Sequence, residues 1–158
     1  MNFTLKTGVP LKMVTQFLNF TDACEHGYFD HVEVLIGKQN YRKLLDGFHL
    51  ACDGEHKSIV KLFLKQKLMF LSETEYGNDD DYIPNTAIGD GLIIACKAGN
   101  IGLVKLILKY SLKKHEHEYH LIPTRALQRA LIAACEVGHR VIARIILKEL
   151  GRDLKIEN

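Results

Sequence analysis

The sequence predicts an all-α protein, a short α-solenoid of about four helix–turn–helix repeats joined by irregular loops. Three observations predict it. A pattern of seventeen residues occurs four times without gaps, at 20–36, 48–64, 92–108 and 131–147. Each occurrence closes on a run with apolar residues at helical spacing. A helix pair of this size cannot bury both of its faces alone, so the copies need one another.

Each copy opens with an apolar residue, passes two variable positions and reaches Ala-Cys: Ala23-Cys24, Ala51-Cys52, Ala95-Cys96 and Ala134-Cys135. These side chains are small where two helices must approach closely. Gly27, Gly99 and Gly138 follow the first helix, where a left-handed residue ends it at little cost. The second copy has Glu55 there and Gly54 one place earlier, which predicts a strained or differently built turn. Asp46-Gly47 and Asp90-Gly91 stand before the first helices of copies two and three, where each Asp is expected to cap free backbone N–H groups. Thr124 is the expected N-cap of a longer helix over 125–137.

One domain is expected over 1–158, with repeat cores near 18–37, 46–65, 90–109 and 124–148. Residues 9–17, with Val14 and Phe17 at helical spacing, are expected to cap copy one. Insertions are expected at 66–89 and 110–123.

The repeated pattern resembles the ankyrin repeat. His49 matches the histidine of that family's opening motif, and His56 and His139 match the histidine after its glycine. Tyr28 and Asn100 replace that histidine in the other two copies. No copy carries Thr-Pro, and the Ala-to-Ala spacings are 28, 44 and 39 residues, against about 33 in the family. Such irregular, cysteine-bearing units resemble those of large DNA viruses and intracellular bacteria. The resemblance implies that the imidazoles fix one repeat against the next. It also implies a non-catalytic module that binds another protein, a host or regulatory one, across the concave side. No catalytic residue and no cofactor are expected; the alternative is a metal- or thiol-dependent enzyme.

The totals agree with that class. The chain has 158 residues, 47% hydrophobic and 25% charged, with a formal net charge of +2. So small an excess does not argue for nucleic acid or an anionic membrane. No run of residues is long and apolar enough to span a bilayer, and residues 1–10 show no secretory signal. Four cysteines at one repeat position, with no CxxC, read as packing groups in a reducing, intracellular setting, or in a host cytoplasm if the source is a pathogen.

Candidate partner contacts are the variable positions after Ala-Cys: Glu25 and His26, Asp53, Lys97 and Glu136. Tyr76 and Tyr82 stand among Glu73, Glu75 and Asp79 to Asp81 and could anchor a partner. His115, His117 and His120 are the candidate metal ligands, although their spacing is not that of a zinc hydrolase and a solvated segment is the simpler reading. Lys105, Lys109, Lys113, Lys114, Arg125, Arg129, Arg140, Arg144 and Lys148 give copies three and four a basic side. A solvated face explains it most simply; an acidic protein or nucleic acid is the alternative partner.

Overall fold

The computed structural model describes residues 18–66, 84–111 and 122–156, whose regular elements are all helices, with no strand among them. Four hairpins follow in order. The first is α1 (Phe20–Glu25) and α2 (Phe29–Leu35), extended by a 3-10 turn at Ile36–Lys38. The second is α3 (Tyr41–Asp53) and α4 (Lys57–Gln66). The third is α5 (Pro84–Ala98) and α6 (Ile101–Ser111). The fourth is α7 (Thr124–Val137) and α8 (Arg140–Ile156). The expected cap at 9–17 lies outside the described residues.

Contacts between hairpins form two rows. The first helices pack in the order α1, α3, α5, α7, and the second helices in the order α2, α4, α6, α8. The first row is the more closely packed of the two. That places the first helices on the inner side of the stack and splays the second helices outward.

One turn is built four times. The N–H of Tyr28, His56, Asn100 and His139 donates to the carbonyl of Ala23, Ala51, Ala95 and Ala134, at 2.8–3.2 Å. This six-residue closure needs a left-handed residue in the penultimate place. Gly27, Gly99 and Gly138 supply it with φ of 77°, 73° and 84°. The second copy takes the same path with Glu55 at φ 58°. Its turn is therefore strained, at roughly 1 kcal/mol for a non-glycine residue, but not differently built. A contact offsets the strain: Asn100 Nδ2–H donates to Glu55 Oε2 at 2.7 Å, linking copy three to copy two.

Helix starts depart from the sequence reading. Asn40 caps α3, its side chain accepting from the Lys43 N–H at 3.0 Å, and α5 opens at Pro84. Asp46 and Asp90 thus lie inside helices and cap nothing. Residues 84–89, expected within an insertion, are the first turns of α5. Thr124 is the first helical residue of α7; Pro123 occupies the cap position and makes no side-chain bond there.

Gly47 and Gly91 have another purpose than marking a turn. A Cβ on Gly47 would stand 2.7 Å from the Phe20 ring and 2.9 Å from Cys24 Sγ. A Cβ on Gly91 would stand 2.6 Å from Phe48 and 3.1 Å from Cys52 Sγ. Each glycine lets the next first helix close on the aromatic and the thiol of the one before. At the last junction the same register pairs Leu92 with Ala130, both buried. Phe63 fills the space between rows, edge-on to Phe20 at 6.1 Å and to Phe48 at 5.7 Å.

Gly91→Ala is expected to lower stability by about 1–3 kcal/mol through overpacking, although alanine is the better helix former. Adding Phe48→Leu recreates the leucine and alanine pair of the last junction, so the double variant is expected to lose less than the sum of the singles. Denaturant unfolding of the three variants measures this. A Gly91→Ala variant more stable than the parent would show that no ring stands over Gly91.

Candidate functional site

The last turn of each first helix brings one variable residue to equivalent places. Glu25 on α1, Asp53 on α3, Lys97 on α5 and Glu136, one residue before the end of α7, are all exposed. In the first three copies their position follows from the buried Ala-Cys step that precedes them: with the small pair turned inward, the next residue must face water. In the fourth, Ala134 alone of the pair is buried and Cys135 is exposed beside Glu136.

The backbone at two of these positions is already in use. The Glu25 carbonyl accepts from His56 Nε2–H at 2.7 Å, and the Lys97 carbonyl accepts from His139 Nε2–H at 3.2 Å. A carbonyl only accepts, so in both rings the proton is on Nε2. The imidazoles also lie over the turn glycines of the preceding copy, 2.6 Å from where Gly27 and Gly99 would carry a Cβ. His49 makes a third cross-hairpin bond, from Nε2–H to the Ala87 carbonyl at 3.3 Å. The histidines therefore hold hairpin to hairpin, while the side chains of Glu25, Asp53, Lys97 and Glu136 point away from the stack.

His26 differs from the other expected contacts. Its Nδ1–H donates to the Asp22 carbonyl at 2.9 Å, closing its own helix. Its ring stacks on Tyr28 with centroids 5.9 Å apart and planes 10° off parallel. Tyr28 is 45% exposed, so the first turn carries an aromatic platform. Sequence reasoning passed over Tyr28 as a substitute for histidine. The available signal was a second aromatic ring two residues after His26, close enough along the turn to stack on it.

Tyr76, Tyr82, His115, His117 and His120, with the acidic run at 73–81, lie outside the described residues. Among the described residues no group of three or more His, Cys, Asp or Glu is placed to hold a metal ion. The basic side expected for copies three and four divides between the rows. Arg125 and Arg129 belong to α7, where Arg129 reaches Asp90 on α5 at 3.7 Å. Lys105, Lys109, Arg140, Arg144 and Lys148 belong to α6 and α8 on the other row.

The four cysteines are free, but they are not alike. Cys24, Cys52 and Cys96 are fully buried, whereas Cys135 is exposed. Cys135 corrects the expectation that all four are packing groups: among the described residues no helix covers its side chain. Burial pushes the Cys24 and Cys96 thiols up to about 12. It raises Cys52 as well, with the neighbouring Asp53 charge adding to the effect. Buried neutral thiols of this kind are poor nucleophiles.

Searches of protein families, of curated proteins and of solved structures find no match to the chain.

A thiol reagent at neutral pH is expected to modify Cys135 within the native state and the other three only on unfolding, which peptide mass spectrometry resolves. Rapid modification of a second cysteine would contradict their burial. Because the folded pKa is raised above the ordinary 9.0, this stability is fully present below pH 9. It is expected to fall as pH climbs from about 9 towards 12, where only the unfolded chain releases the protons. Melting temperatures of the parent and of Cys24→Ala and Cys96→Ala variants across that range check the sign.

Proposed function

We propose that the chain is an ankyrin-like α-solenoid that binds another protein and performs no chemistry. The reading rests on the four positions in register on the inner row. Glu25, Asp53, Lys97 and Glu136 hold equivalent, exposed places, yet their charges run negative, negative, positive, negative. A packing role would select one residue type there, as it does at Ala-Cys. A recognition surface benefits from a different charge at each step, since complementary charges steer encounter and select among partners.

The scaffold supports the reading in a second way. Side chains that recognise a partner are most effective when the backbone beneath them is fixed. Here the imidazoles of His56 and His139 hold that backbone at Glu25 and Lys97. The His26 and Tyr28 pair at the first turn adds an exposed aromatic anchor to one end of the row. Three buried, unpaired thiols favour a reducing, intracellular setting. No described helix is long and apolar enough to cross a membrane.

The test combines Glu25→Lys, Asp53→Lys, Lys97→Glu and Glu136→Lys in one variant. Its thermal unfolding is expected to stay close to that of the parent, because exposed charges contribute little to stability. Quantitative capture from cells that express the natural protein is expected to lose the partners recovered with the parent. Undiminished capture by the folded variant would remove the inner row as the binding face.

A further inference from the structure

Three of the four second helices carry exposed charge of one sign, whereas α2 exposes Glu33. Helix α4 presents Lys57, Lys61 and Lys65, and α6 presents Lys105 and Lys109. Helix α8 presents Arg140, Arg144 and Lys148, and all of these cations are exposed. Within each helix they stand four residues apart, so each helix bears one stripe with steps of about 6 Å. The repeat register sets the stripes side by side. Lys61, Lys105 and Arg144 share one position; Lys65, Lys109 and Lys148 share the next. Lys57 and Arg140 share the first with Ile101, the single uncharged place in a three-by-three array.

Opposite charge is missing from the face these three helices form. On α4, α6 and α8, among the residues whose side chains are described, no carboxylate is exposed, and Glu149 is buried. The inner row is mixed by comparison, with Asp53 and Glu136 alongside Lys43 and Arg125. A net charge of +2 for the whole chain therefore conceals a strongly segregated one.

We infer that this outward face adsorbs to the surface of an anionic lipid bilayer. Three features select a bilayer over other polyanions. The cations spread in two dimensions across three helices, which suits a planar sheet of headgroups. Most of them are lysines, compact point charges on long stems, without the fork that reads a carboxylate or phosphate pairwise. Aliphatic side chains stand open among them: Val141 at 55%, Leu147 at 53% and Ile101 at 37% exposure. Basic helices at a membrane interface combine such cations with apolar residues that enter the headgroup boundary. A nucleic acid gains little from exposed aliphatics, and none of the three helices exposes an aromatic ring for base stacking. Adsorption of this kind requires no spanning helix and uses a different face from the proposed protein contact.

Flotation of the full chain with phosphatidylcholine vesicles, with and without about 30% phosphatidylserine, tests the inference. Binding is expected with the anionic vesicles alone, and it is expected to weaken steeply as salt rises. Lys61→Glu, Lys105→Glu and Arg144→Glu together are expected to lower vesicle affinity at least about 100-fold. Leu147→Ser, which keeps every charge, is expected to lower it several-fold, with the parent circular dichroism retained in both variants. Equal recovery with neutral vesicles overturns the inference, as does anionic binding that survives the triple reversal. Tighter binding to a DNA duplex than to anionic vesicles at the same low salt overturns the choice of lipid.

Discussion

The structure depends on how closely one first helix can approach the next. At the first two junctions an aromatic ring and a cysteine sulfur on one helix meet a glycine on its neighbour: Phe20 and Cys24 against Gly47, then Phe48 and Cys52 against Gly91. No side chain fits between them. The third junction solves the same problem with a smaller apolar residue, Leu92, and a larger small one, Ala130. Close approach on this row, with looser contact on the other, orients the hairpins and brings each imidazole within reach of the preceding turn. The histidine bonds to Glu25 and Lys97 are a consequence of that packing as well as a support for it.

Two surfaces of different character result. The inner row offers single, varied charges on a backbone held from the neighbouring hairpin, an arrangement suited to selecting a particular partner. The outer row offers repeated cations with interspersed aliphatics, an arrangement suited to general attraction toward a charged plane. Residues shared by all copies form the interior, and residues that vary or alternate in charge form the faces. Cys135 marks the limit of this rule, since it has a core residue type at a core position of the repeat but is exposed on the last described hairpin. Leu147 does the same on α8, where its counterparts Ile36, Leu64 and Leu108 are all buried.

Much of the interior was legible in the sequence because repetition exposes it. The Ala-Cys step, the left-handed glycines and the docking histidines recur at fixed spacing, and each recurrence has a local physical cause. Helix starts were not legible in the same way. Asp-Gly resembles a cap signal, but at Asp46-Gly47 and Asp90-Gly91 the glycine answers to a ring more than twenty residues earlier, and Asn40 supplies the cap for α3. The exposure of Cys135 depends on what packs against α7, which no local pattern encodes. Charge counted along the chain averages the two rows, so Lys57, Lys61 and Lys65 were not joined to the basic stripe of α8. Tyr76, Tyr82 and the histidines at 115–120 lie outside the described residues.

The register between α3 and α5 is the point on which the account turns, and an engineered crosslink measures it most directly. A Gly91→Cys substitution places its Cβ 3.1 Å from Cys52 Sγ, close to the separation of about 3 Å between a cysteine Cβ and its partner's sulfur across a disulfide. The variant is made with Phe48→Leu to give the new side chain room, and with Cys135→Ser to remove the exposed thiol. When the reduced, unfolded variant is refolded under mild oxidation, so that the buried thiols are accessible as the helices meet, peptide mapping is expected to find position 91 joined to Cys52 in high yield. Pairing of position 91 with Cys24 or Cys96 instead would contradict the stacking of α5 on α3 in this register.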